Sequence, residues 1–162
     1  MVVSYIYKLA VIPTKSMETT RSKVIEKAVG FEELISQLLT LLLDVEKNTS
    51  KSFGSKSTTL SFNAKINLLI DLKFIPTEIS KDFQLFAEIR NKFAHILYVD
   101  NFIKCFEIIH DQKNNFLKRM LNIKTEVEDE TTYASCFEIL CLELGLWLNV
   151  TLQLISNKKR VN

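Results

Sequence analysis

Residues 76–97 read Pro-Thr-Glu-Ile-Ser-Lys-Asp-Phe-Gln-Leu-Phe-Ala-Glu-Ile-Arg-Asn-Lys-Phe-Ala-His-Ile-Leu. Ile79, Phe83, Phe86, Arg90, Phe93 and Leu97 recur at alternating steps of four and three. That period is one face of an α-helix buried against a core. Pro76 suits the first turn of such a helix, where its missing N–H costs nothing. One position in the apolar seam is charged, and it is Arg90. The stretch therefore fixes both the fold class, all-α, and the place to look for chemistry.

The same period extends outward in both directions. A helix over about Leu60–Lys73 stops before Ile75 and Pro76. Upstream, Val24, Ala28, Phe31, Ile35, Leu38, Leu42 and Val45 predict a helix from about Thr20 to Lys47. Its second half is apolar most of the way round, so it must be covered on two sides, in the centre of a bundle or at a dimer contact. Between these helices residues 48–59 form a polar loop without period, the best candidate for a mobile segment.

Downstream, a fourth helix starts after Asp100 and carries Phe102, Phe106, Ile109, Phe116 and Met120. An acidic loop at 125–131 follows, then a last helix over about Thr132–Asn157 that is apolar from Tyr133 to Ile155. Its length would permit a membrane span, but Glu138 and Glu143 would each cost about 2.5–3.5 kcal/mol at mid-bilayer. We read it as a core helix. The expectation is a single domain over residues 1–162, an up-down bundle of about five helices, with residues 1–17 as an arm or short helix.

Composition supports this reading. Of 162 residues 47% are hydrophobic and 25% charged, a globular balance. Only three glycines and two prolines interrupt the chain, so elements are few and long. Gly30, Gly54 and Gly145 are too scattered for a phosphate-cradling loop, which excludes Rossmann and P-loop nucleotide sites. Net charge is +2, which does not signal a strong nucleic-acid binder. Cys105, Cys136 and Cys141 form no C-x-x-C pair, so neither a zinc site nor a disulfide framework is indicated. Buried reduced thiols and an N-terminus without a basic signal region fit a cytoplasmic protein with no membrane attachment and no cofactor.

The chemistry that Arg90-Asn91-Lys92-Phe93-Ala94-His95 permits is narrow. Arginine can grip a phosphate with a bidentate fork and stabilise charge building on it. Histidine can exchange a proton near neutral pH. Asparagine can position a hydroxyl or phosphate oxygen. Together they suit metal-independent RNA cleavage, in which the 2′-OH attacks the adjacent phosphate. Arg90 and His95 lie about 140° apart on an ideal helix. They converge only if the helix ends or bends near His95, or if a second subunit completes the site. The structural alternative is that Arg90 pairs with a core carboxylate such as Glu138 or Glu143, while Glu88 and Lys92 form an ordinary i,i+4 pair. Lys65 and Lys92 are candidate RNA contacts, and Lys113, Lys118 and Arg119 could extend a basic patch.

The run from Arg90 to His95 resembles the R-x(4–6)-H signature of the HEPN superfamily. The wider segment Leu60-Ser-Phe-Asn-Ala-Lys-Ile-Asn-Leu-Leu69, with Phe74-Ile75 and Asp82 through His95, is similar to the mannitol-operon repressor family within it. The resemblance implies a dimeric helical bundle whose two motifs face a shared cleft. In ribonuclease members the motif arginine and histidine carry cleavage, which here would be Arg90 and His95, with Asn91 in support. Many members act in toxin–antitoxin or defence systems. The repressor branch implies instead a non-catalytic transcriptional regulator that works through a protein partner. No helix-turn-helix or basic recognition helix is evident.

Overall fold

A computed structural model describes residues 19–46, 49–53, 60–109, 116 and 129–161, without the side chains of 160 and 161. The described residues form five helices: α1 (Thr20–Leu43), α2 (Phe62–Asp71), α3 (Thr77–His95), α4 (Phe102–Ile108) and α5 (Glu130–Val161). No strand occurs among them. The all-α bundle expected from the periodicity is the one observed. Residues 1–18, Met120 and the loop at 54–59 lie outside the described residues, as do His110, Lys113, Lys118 and Arg119.

Four of the five helices begin where a side chain can satisfy free N–H groups, and α3 begins instead at Pro76 with no side-chain cap. Thr19 accepts from Ser22 N, Ser61 from Ala64 N and Asn101 from Lys104 N. The acidic residues before the last helix have the same task. Asp129 accepts from Thr132 N at 2.7 Å and opens α5. Glu130 reaches across to accept from Phe102 N at 2.8 Å and Ile103 N at 3.1 Å, capping α4. The expected acidic loop thus becomes helix start at its end, and α5 begins at Glu130, before the expected Thr132.

Three helices stop earlier than the pattern suggests: α4 ends at Ile108, with Ile109 as its non-helical cap at φ −98° and ψ 52°, so it does not carry the expected Ile109 and Phe116. α1 and α2 share one reason. Asp44 and Lys73 take left-handed backbone conformations, with φ of 56° and 55°. Val45 N then donates to Thr40 O at 3.0 Å, and Phe74 N to Leu69 O at 3.0 Å, closing each helix end. Glycine is the usual residue there, so neither stop is marked by residue type.

α1 is the central helix, packed against α2, α3 and α5. It runs alongside α5 in the same direction, with Lys27 3.4 Å from Glu138 and Asp44 paired to Lys159. α3 runs opposite to both: Phe83 meets Trp147 edge-on, and Phe86 stacks on Phe137. A continuous row of rings crosses the core. Phe31 lies 4.9 Å from Phe86, Phe86 5.8 Å from Phe137, Phe137 5.1 Å from Phe102 and Phe102 5.3 Å from Phe93. Such pairs add about 0.5–1.5 kcal/mol each beyond burial.

The polar stretch after α1 is tied in at one point. Phe53 is buried in the core, and Leu60 N donates to Ser52 O at 2.9 Å. The stretch 49–53 is turn structure, exposed for the most part, with Phe53 as its one buried side chain. α5 also differs from expectation. By length and composition it could cross a membrane. Here one face, with Tyr133, Phe137, Leu140, Leu144 and Leu148, is core. The opposite face leaves Leu142 72% and Leu146 65% exposed, so α5 is covered on one side only.

Candidate functional site

The motif occupies the last turn and a half of α3. Phe83, Phe86 and Phe93 of the seam are fully buried, whereas Leu97 falls beyond the helix and is 90% exposed. The helix ends at His95, and Ile96 is extended with φ −109° and ψ 110°. A helix end at His95 is one of the arrangements that would let Arg90 and His95 serve one ligand. His95 is exposed, while Arg90 and Asn91 are half-buried.

Arg90 does not turn to either carboxylate that could have neutralised it in the core. Glu138 faces Lys27, and Glu143 lies on the exposed side of α5. Instead Arg90 Nη1 donates to Asn91 Oδ1 at 3.1 Å. Its Nε is buried and has no hydrogen-bond acceptor among the described residues. A guanidinium in this state has donor capacity left for an anion.

A residue not anticipated from the sequence holds this end of the helix. Arg21, in the first turn of α1, places Nη1 2.6 Å from Phe93 O. Its Nη2 lies 3.0 Å from Ile96 O and 2.7 Å from both Leu97 O and Val99 O. Phe93 O is a carbonyl that the end of α3 leaves without a helical partner, and the other three belong to the turn that follows. A cation there also complements the helix dipole. Val99 N donates to Ile96 O at 3.1 Å, so the turn after His95 is closed and pinned from both sides.

The two lysine candidates separate. Lys65 is only 2% exposed and its Nζ is 2.8 Å from Glu32 Oε1. It is a buried ion-pair member that ties α2 to α1, and the expectation of an RNA-contacting surface lysine is corrected. Its charge is spent inside because Lys65 falls in the same seam as Phe62, Ile66 and Leu69. Lys92 stays half-buried, on the wall of a hollow between α2 and α3.

That hollow, about 340 Å³, is lined by Asn63, Asn67, Gln84, Glu88, Asn91 and Lys92, over Ile66 and Ala87. Asn63, Asn67 and Gln84 belong to no catalytic motif, although Asn63 and Asn67 are spaced to share one face of α2. A larger hollow of about 560 Å³ lies between α1 and α5 around Gly30 and Gly145. No motif residue lines it, so the smaller one carries the functional argument.

The three cysteines are buried and unpaired. Burial pushes the Cys105 and Cys141 thiols up to about 12, away from nucleophilic use. Among the described residues no three His, Cys, Asp or Glu side chains gather as a metal site requires. Comparison with protein-family models, curated proteins and solved structures finds no match to the chain.

Proposed function

We propose that this protein is a homodimeric, metal-independent endoribonuclease of HEPN type, acting on single-stranded RNA in the cytoplasm as part of a toxin–antitoxin or defence system. The observation that carries the reading is Arg90. A half-buried guanidinium with an unanswered buried Nε sits in an otherwise apolar seam, one turn before an exposed histidine at a helix end. In this reading Arg90 holds the scissile phosphate and stabilises the charge that builds on it. His95 moves the proton between the 2′-OH and the leaving 5′ oxygen. Asn91, bonded to Arg90, sets the angle of the guanidinium. The second copy brings its own motif to a shared cleft, and an antitoxin or regulatory protein would cover that cleft.

The test is cleavage of single-stranded RNA in EDTA. The wild type turns over, and His95→Ala loses about 10²–10⁴ in rate while folding normally. A wild type that leaves RNA intact, or a His95→Ala variant as fast as the wild type, overturns the proposal.

A second reading has its own observation. Because Arg90 already bonds Asn91, the pair also serves as a polar cluster in a non-catalytic regulator resembling the mannitol-operon repressor, working through a protein partner. Loss of stability in Arg90→Ala, together with no RNA turnover by the wild type, would favour it.

A further inference from the structure

Apart from Asn91, the side chains that line the hollow between α2 and α3 have no part in the cleavage chemistry. Four of its lining side chains are carboxamides: Asn63 and Asn67 from α2, Gln84 and Asn91 from α3. Each carboxamide presents a donor and an acceptor side by side. The floor beneath them is apolar, since Ile66 and Ala87 are buried. A ligand that suits this hollow is flat and apolar on its face and carries paired donors and acceptors on its edge. A nucleobase has that form, whereas a bare phosphate or a sugar has no apolar face to set on the floor.

The hollow also adjoins the motif. Asn91 both lines it and accepts the hydrogen bond from Arg90 Nη1 at 3.1 Å. Lys92 stands on the same wall. Asn91 thus links the hollow directly to the Arg90 guanidinium. Its volume, about 340 Å³, lies at the lower end of the range of small-ligand pockets and is enough for a base.

We infer that the α2–α3 hollow is a base-recognition subsite for single-stranded RNA, with adenine as the base it prefers. Carboxamides pair bidentately with the adenine amino group and adjacent ring nitrogen. Unpaired RNA bases are open to such reading on their exposed edges. The inference rests on the ribonuclease reading for its substrate, and it adds where along the RNA the enzyme acts. Asn67 and Gln84 are specificity residues in this scheme. They touch the base and not the reacting atoms.

The experiment measures binding of 2′-O-methyl octanucleotides, which lack the attacking hydroxyl, to the full-length protein. Each is uridine throughout except for one central A, C, G or U. The wild type should bind the central-A oligonucleotide at least tenfold more tightly than all-U. Asn67→Ala and Gln84→Ala should bring that ratio to within about threefold. Both residues are exposed, so the variants should keep the wild-type circular dichroism and melting temperature. Equal binding of all four oligonucleotides, no binding of any, or a ratio that survives in both variants overturns the inference. Unmodified RNA separates this outcome from that of the parent proposal. Cleavage without adenine preference removes the subsite and leaves the ribonuclease, whereas adenine-selective binding without cleavage does the reverse.

Discussion

Arg21 Nη1 lies 2.6 Å from the carbonyl oxygen of Phe93, joining the first turn of α1 to the last turn of α3. The same guanidinium reaches the carbonyls of Ile96, Leu97 and Val99. The position of His95 thus depends on a residue more than seventy positions away. Arg21→Ala should cost about 2–4 kcal/mol, because several charge-assisted bonds to partly buried carbonyls are lost together. Arg21→Lys should recover only a minor part, since an ammonium cannot fork between carbonyls. Urea unfolding measures both. A loss below about 0.5 kcal/mol for Arg21→Ala would show that water replaces the clamp.

The Lys65–Glu32 pair makes a second prediction about stability. Removing Glu32 leaves a buried ammonium without its counter-ion, which costs about 3–5 kcal/mol where burial is complete. Glu32 keeps contact with water, so Glu32→Gln should fall at about 2–4 kcal/mol. Lys65→Met in the Glu32→Gln background should restore much of the loss, because the stranded charge is then gone. Additive losses in the double variant would contradict this account.

The thiols set a pH dependence. Burial raises Cys105 and Cys141 from the ordinary 9.0 to about 12 in the folded protein. The folded values lie above the unfolded ones, so the contribution to stability is complete below about pH 9. It declines as pH rises from there toward 12. At pH 8 a disulfide reagent such as DTNB should find the thiols unreactive in the native protein and titrate all three in urea. A rapid native-state reaction at Cys105 or Cys141 would show that the site opens without unfolding.

Backbone conformation and residue type are mismatched at two places. Gly30 lies in the middle of α1, and a Cβ there meets nothing within 4 Å. Gly30→Ala should therefore stabilise the protein by about 0.5–1 kcal/mol. Lys73 holds a left-handed conformation that glycine adopts freely. Lys73→Gly should gain about 0.5–1 kcal/mol, offset in part by the freer unfolded chain. Thermal melts of the two variants and their combination should show nearly additive gains, since one site is inside α1 and the other is in the turn after α2.

The parts of the fold legible in the sequence are those written in local periodicity. The seam from Ile79 to Phe93, the Ser61 cap and the long α1 stripe follow from residues within a turn or two of one another. The early ends of α1 and α2 were not legible, because Asp44 and Lys73 do work that glycine usually does. Arg21 was not legible either, since its acceptors are backbone carbonyls of a distant segment and carry no residue signature. Lys65 is an intermediate case. It stands among Phe62, Ile66 and Leu69, so its burial could have been read from its place in the stripe, though not the identity of Glu32 as its partner. At the site, the motif was visible as a charge in an apolar seam. The amide-lined hollow needed α2 and α3 to be set side by side.

Glu130 belongs to α5 by position and to α4 by function, since its carboxylate holds the Phe102 and Ile103 amides. α4 has seven residues, too few to persist as an isolated helix in water. Its existence is therefore conditional on α5 being in place, and the two should open and close as one cooperative unit. A ribosome releasing this chain from its N-terminus would complete the α1–α3 scaffold first, with His95 already at the end of its helix. The α4 segment would wait for the first residues of α5 to arrive some thirty positions later.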